Sequence, residues 1–216
     1  MDLELDHLVV AARRLEEGVA WAESRLGSAM GPGGKHDAMG THNRLLSLGP
    51  GRFLEVIAVD FRAQAPARPR WFSLDEPAMA QRLSRGPALV HWVVRSSDID
   101  AALGACLDEV PPVLALSRGE YRWRIGVPAS GHLQADGIVP TMIQWSGKRP
   151  AQALPESGCR LESLVLRHPQ APPVLAALRA AGLPESDPVE AFPAGRGLQA
   201  RIRTPRGIVT LGEAAE

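Results

Sequence analysis

Cysteine is almost missing from this chain: Cys106 and Cys159 are the only two in 216 residues. Neither has a close cysteine neighbour, which excludes a disulfide framework and a thiolate metal cluster and makes a reducing compartment the default. Net charge is missing as well, because 24 basic residues balance 24 acidic ones. With no basic stripe, nothing in the charge distribution favours nucleic acid or an anionic membrane as partner. No apolar run comes near the roughly 20 residues of a membrane helix. The start, Met1-Asp2-Leu3-Glu4, is acidic where a secretory signal is basic, so the expectation is a cytoplasmic protein with no membrane partner.

What the chain does have is enough apolar residue, 45%, to bury a real core in one or two compact domains. Its 19 prolines and 21 glycines point to many turns and short elements. Within that frame one pattern occurs twice. Leu5-Asp6-His7-Leu8-Val9-Val10 and Leu89-Val90-His91-Trp92-Val93-Val94 read as strands with an inward histidine. Each is followed by a helix and later by a strand with a carboxylate or its amide, Phe53-Leu54-Glu55-Val56-Ile57 and Met142-Ile143-Gln144-Trp145. The two-residue period of a strand puts His7 on the face of Leu5 and Val9, and Glu55 on that of Phe53 and Ile57. A carboxylate on a buried face needs a partner, which a metal, an arginine or a hydrogen-bond network can supply.

The first unit, residues 1–60, reads β-α-β-β with a further short strand near Gly33: a strand from Leu5 to Ala11, a helix from Leu15 to Leu26, strands Thr41 to Leu48 and Arg52 to Val59 joined at Gly49-Pro50-Gly51. Residues 61–87, with Ala65-Pro66-Ala67-Arg68-Pro69, read as a linker carrying one short helix, Pro77 to Ser84. The second unit, 88–147, begins with the strand Ala88 to Arg95, and Asp98 is placed to cap a helix over Ile99 to Glu109. Strands Val113 to Ser117, Tyr121 to Val127 and Thr141 to Trp145 complete it. Residues 158–213 read as a degenerate third copy, with Ser163 and Thr210 opposite His7 and Glu55, and are expected to be structural, packing on the other two or joining a homodimer.

Asp6-His7-Leu8-Val9, Phe53-Leu54-Glu55-Val56 and His91-Trp92-Val93-Val94 together resemble the vicinal oxygen chelate superfamily. Gly33-Gly34-Lys35-His36 followed by Gly40-Thr41-His42-Asn43-Arg44-Leu45 resembles its glyoxalase-like domain branch. The resemblance implies an α+β fold in which repeated βαβββ modules form a curved mixed sheet of the glyoxalase/bleomycin resistance/dioxygenase kind, around a divalent metal. Carried over by position, the metal ligands are His7, Glu55, His91 and Gln144, a set similar to those of glyoxalase I and methylmalonyl-CoA epimerase. Two imidazoles and two oxygen donors suit Zn, Mn, Co, Ni or Fe(II).

The chemistry implied is that of a lyase or isomerase acting on a small carbonyl or vicinal-oxygen substrate. The metal polarises the carbonyl and stabilises an enediolate while Glu55, the one carboxylate of the set, moves the proton. His36, Thr41 and Asn43 belong to a loop over the mouth, where they are expected to contact substrate. Trp92 is expected to line the sheet, and Arg122 and Arg124 to face an anionic substrate. Two other functions fit the same residues: an Fe(II) dioxygenase of the extradiol type, because two histidines and a carboxylate also make a facial triad, and a metal-free protein that sequesters a small molecule. Gly195-Arg196-Gly197-Leu198-Gln199-Ala200 precedes a strand rather than a helix and is rejected as a dinucleotide loop.

Overall fold

The computed structural model describes residues 2–107 and 109–212. Eight strands form one strongly curved mixed sheet: β1 (Leu3–Ala11), β2 (Gly33–His36), β3 (Thr41–Ser47), β4 (Phe53–Val59), β5 (Ala88–Ser96), β6 (Val113–Arg118), β7 (Tyr121–Gly126) and β8 (Thr141–Ser146). Their order is β2-β3-β4-β1-β5-β8-β7-β6. In each half the first strand pairs parallel with the last, β1 with β4 and β5 with β8, and the halves join through the antiparallel pair β1–β5. This is the curved paired-module α+β sheet implied by the resemblance.

Strand alternation sorts the apolar residues into two cores. Leu8, Val10, Leu54, Val56, Trp92 and Met142 point to the convex face, where α1 (Leu15–Leu26) and α3 (Ile99–Cys106) cover them. Val9, Ile57, Val93, Trp123, Ile125 and Ile143 point to the concave face. Acidic Glu16 and Glu17 sit in the first turn of α1 and Arg25 in its last, as its dipole favours. The Asp98 side chain caps α3, accepting from the Ala101 N–H at 3.1 Å.

One irregularity shifts a face. The β1–β5 register slips between Leu5 and His7. That bulge sends Leu5 into the convex core while His7 and Val9 stay on the concave side, so Leu5 does not share the face of His7 as simple alternation required.

The stretch read as a linker does more than connect. Besides α2 (Pro77–Leu83) it carries a strap, residues 61–76, that drops Trp71 and Phe72 onto the concave face, both nearly buried. Phe72 and Ser73 adopt φ of 58° and 56°, a left-handed pair that is unfavourable for residues with side chains. Tertiary bonds hold it: Ser73 N–H donates to Gly131 O at 2.9 Å, the Leu133 N–H donates to Ser73 Oγ at 2.9 Å, and Arg68 donates to Pro128 O at 2.7 Å.

After the short helix α4 (Pro150–Ala153), residues 160–211 form a second sheet from β9 (Arg160–Arg167), β10 (Val189–Phe192), β11 (Gly197–Thr204) and β12 (Gly207–Leu211), with α5 (Ala171–Ala180) between β9 and β10. Its order, β10-β9-β11-β12, differs from that of either half of the large sheet. Here the first strand pairs parallel with the second strand and antiparallel with the third. Ser163 and Thr210 therefore have no topological correspondence to His7 and Glu55. The unit packs its apolar face, including Leu164, Leu198 and Ile202, into the convex core. No helix among the described residues is long and apolar enough to cross a membrane.

Candidate functional site

The concave face holds a small cup, partly open to solvent, with about 40 Å³ of enclosed space. Its walls are Leu45, Phe53, Trp71, Phe72, Trp123, Ile125, Ile143 and Trp145, and its polar groups are His7, His36, Asn43, Glu55 and Arg118.

At the floor, His7 and Glu55 approach across the β1–β4 pair, Nε2 to Oε2 at 3.7 Å, both almost completely buried. The bulge lets Asp6, the preceding residue, reach His7 Nδ1 with its own Oδ2 at 2.8 Å. Nδ1–H therefore donates to Asp6, which fixes the ring's orientation and leaves Nε2 directed at Glu55. Asp6 is buried and also accepts from Trp145 Nε1 at 3.3 Å, with Arg95 Nη1 3.6 Å away. His7 stacks on Phe53 at 4.5 Å, nearly parallel.

Glu55 is held from the other side. Asn43 Nδ2 donates to Glu55 Oε1 at 2.5 Å, while Asn43 Oδ1 accepts from the Gly34 N–H at 2.9 Å and from Arg118 Nη1 at 3.0 Å. Donors on one end of the amide and a carboxylate on the other fix which way it points. Arg118 Nη1 also reaches His36 Nε2 at 3.2 Å, so that nitrogen is the acceptor and the proton sits on Nδ1, facing Thr41 Oγ1 at 3.1 Å. Burial, then the Arg118 charge, pushes the His36 pKa down to about 3; the ring is neutral in the working pH range. Thr41 itself is buried behind His36 and acts by orienting it. Burial also lowers the Arg118 pKa. Trp71 Nε1–H is buried at the cup wall with no acceptor among the described residues.

The second half of the sheet carries the matching pair in a closed form. By register Val9 lies opposite Glu55 and Val93 opposite Thr141, so Thr141, not Gln144, is the counterpart of Glu55. His91 is fully buried; its Nδ1 donates to Gly137 O at 3.1 Å and its Nε2 accepts the Thr141 N–H at 3.1 Å, with Thr141 Oγ1 at 2.9 Å. Burial pushes its pKa to about 3. Phe72 packs on it at 5.2 Å and stands between it and His7's cup.

Four other expected site residues lie elsewhere because alternation turns them outward. Gln144 lies between the cup residues Ile143 and Trp145 on β8 and caps α3 instead, accepting from the Ile99 N–H at 3.3 Å and donating to Ser97 O at 2.8 Å. Arg124 pairs with Asp100 at 2.8 Å on the outside. Arg122, exposed, donates to Gly119 O at 3.0 Å. Trp92 is buried in the convex core and donates to Ile138 O at 2.8 Å. Sequence reasoning missed Asp6, Trp71, Phe72 and Arg118. Only Asp6 carried a signal, as an acidic residue beside the histidine in an otherwise apolar strand.

A catalytic divalent metal takes about three protein ligands. His7 and Glu55 supply two, while both His91 nitrogens are engaged within the protein and Ile143 occupies the cup position beside Gln144. Among the described residues no group of three His, Cys, Asp or Glu side chains is placed to hold a metal ion. The donor set does not fit the metal centre that the resemblance implies, nor the facial triad of an Fe(II) dioxygenase.

Comparison with known proteins agrees with the architecture. A family model described as a glyoxalase-like domain matches residues 5–182. No curated protein matches. A hypothetical protein from Staphylococcus aureus aligns over 100% of this chain and 88% of its own, at 14% identity and a TM-score of 0.57, a likeness of fold. Methylmalonyl-CoA epimerase from Mycobacterium tuberculosis aligns over 69% of this chain and 91% of its own, at 20% identity and a TM-score of 0.43. The Streptomyces coelicolor epimerase with 2-nitronate-propionyl-CoA aligns over 68% and 97%, at 16% identity and a TM-score of 0.44. With its family model spanning both halves of the curved sheet, this chain belongs to the glyoxalase-like domain family of the vicinal oxygen chelate superfamily.

Proposed function

We propose that the cup is the active site of a lyase or isomerase that moves a proton next to a carbonyl using its own side chains rather than a bound metal. The observation that carries this reading is the His7–Glu55 pair: Nε2 and Oε2 face each other at 3.7 Å on an apolar floor, each fixed from behind, by Asp6 and by Asn43. A carboxylate and an imidazole aimed at the same small space suit two complementary roles. Glu55 Oε2 takes the proton from the carbon beside the carbonyl, and the C–H electron pair moves into the carbon–carbon bond as the carbonyl π bond opens. The carbonyl oxygen takes a proton from His7 Nε2, while Asp6 accepts from Nδ1 and holds the ring in place. Return of the proton to the same face restores the substrate with its hydrogen exchanged, and return to the opposite face, after the planar enol turns in the cup, gives the epimer.

The test is solvent deuterium exchange into the acidic C–H of a panel of small carbonyl compounds, followed by NMR in the presence of a chelator. Wild-type protein should catalyse exchange with the chelator present. Glu55→Gln should lower the rate by about 10²–10⁴-fold, the usual contribution of a positioned base, with its near-UV circular dichroism unchanged. Exchange that needs added divalent metal, or that proceeds at the wild-type rate in Glu55→Gln, overturns the reading. Saturable ligand binding without exchange of any compound would assign the cup to sequestration instead.

A further inference from the structure

The two edges of the curved sheet nearly meet, and one side chain closes the gap. Arg118, the last residue of edge strand β6, crosses to edge strand β2, where it lies over Gly34. A Cβ on Gly34 would sit 2.7 Å from Arg118 Cδ and 3.0 Å from Nε, so the absence of a side chain there makes the space the arginine occupies. From that position Nη1 donates to Asn43 Oδ1 at 3.0 Å and contacts His36 Nε2 at 3.2 Å.

Both acceptors are neutral. Ion pairs engage Arg52, Arg95, Arg124 and Arg160 elsewhere in the chain, but among the described residues no carboxylate lies within ion-pair distance of Arg118, which feels the Glu55 charge only across the Asn43 amide. Its Nε and Nη2 make no hydrogen bond to the described protein, although the side chain is half-buried against an apolar cup. A desolvated guanidinium with an open donor edge favours a planar, two-oxygen anion, which it grips through two parallel bonds. The neighbouring histidine cannot do this, since His36 is neutral and presents an acceptor.

Position and chemistry together define the ligand. One amide group, that of Asn43, lies between Arg118 and Glu55 and is bonded to both. A carboxylate held by Arg118 therefore belongs to a molecule whose reacting carbon is the one bearing it or the next one along. The remaining walls are aromatic: Trp71, Trp123, Trp145 and Phe53. Resting on the assignment of the cup as the reaction site, we infer that its substrates are small monocarboxylates with a flat apolar body, anchored by Arg118 with the acidic C–H toward Glu55.

The probe is benzoate, with benzamide as its uncharged isostere, titrated against the wild-type protein by tryptophan fluorescence at fixed ionic strength. Benzoate should bind at least about tenfold more tightly than benzamide, the factor that corresponds to one charge-assisted bond of roughly 1.5 kcal/mol. Arg118→Gln should abolish that preference and Arg118→Lys should retain part of it. Equal binding of the two probes by wild-type protein overturns the inference whether or not the variants fold, as does an unchanged preference in a folded Arg118→Gln. Glu55→Gln separates the two claims: it should keep the benzoate preference while losing proton exchange. An exchange-inactive protein that prefers benzoate refutes the reaction but not the anchor, and the reverse result refutes the anchor alone.

Discussion

Removing the Asp187 carboxylate should destabilise the protein well out of proportion to its distance from the cup. Asp187 lies in the segment leading to β10 and is only 3% exposed. Its Oδ2 accepts the Leu5 N–H at 2.8 Å, and its Oδ1 pairs with Arg52. β4 pairs with β1 only from His7 onward, so beyond the bulge the Leu5 N–H has no strand to bond, and the second sheet supplies the acceptor. Asp187→Ala would leave a buried N–H and a largely buried guanidinium unpaired. An uncompensated partner of a buried pair costs about 3–5 kcal/mol, a large part of the roughly 5–15 kcal/mol that holds a domain together.

For a chain of this size that corresponds to a fall in Tm of roughly 6–20 °C. Urea unfolding followed by tryptophan fluorescence gives the free energy directly, and Asp187→Asn, which keeps the shape and one acceptor, should lie between the two. The reasoning fails if Asp187→Ala unfolds within about 0.5 kcal/mol of wild type, the range of an ordinary surface change.

Acid should destabilise the protein through its buried imidazoles. His91 falls from an ordinary 6.5 to about 3 on folding, so between those values the unfolded chain binds the extra proton and stability rises with pH. Its contribution is fully present above about 6.5 and is lost as pH falls toward 3, with a slope of up to about 1.4 kcal/mol per pH unit. Urea midpoints measured from pH 4 to 7 should show that slope, and His91→Phe should flatten it; an equally steep dependence in the variant would place the effect elsewhere. Gly131→Ala tests the strap: at φ +74° the new Cβ would fall 2.0 Å from Arg70 O, against a clash that no rotamer relieves. The expected loss is more than about 1 kcal/mol, with altered fluorescence as Trp71 shifts, and a variant matching wild type in both would show that the strap adapts freely.

The fold was legible because its signals are local. The period of two in β1, β4 and β5, the two helix starts and the glycine turns each follow from a few adjacent residues; the helix over Leu15 to Leu26 matches α1 residue for residue, while the one expected over Ile99 to Glu109 starts at Ile99 and ends at Cys106. His36, Thr41 and Asn43, expected in a loop over the mouth, sit instead on β2 and β3, and the side chains of His36 and Asn43 line the cup. The site was not legible where a register had to be known. Gln144 offered the chemistry of a ligand, but the β5–β8 register gives the equivalent position to Thr141. Arg122 and Arg124 share the parity of the outer face, while Arg118 reaches the cup only because two strands distant in sequence become facing edges. The bulge at Asp6 and the descent of Trp71 into the cup depend on contacts more than 50 residues away, such as Ser73 with Gly131. Nothing in the adjoining sequence encodes them.

The two halves of the sheet show how one framework can carry an open and a closed version of the same pair. His7 and Glu55 stand two register steps apart across β1 and β4, and His91 and Thr141 stand two steps apart across β5 and β8. In the first pair the carboxylate and the ring nitrogen stay 3.7 Å apart, and both remain directed at the cup. In the second, a hydroxyl and a backbone N–H lie within bonding distance of the same nitrogen, and Phe72 seals it. Glutamate against threonine at one position thus decides which half stays open to the cup. The strap then turns two equivalent pockets into one cup and one plugged core. One carboxylate–imidazole pair open to an aromatic-lined cup, with Arg118 one amide away, is what that asymmetry leaves.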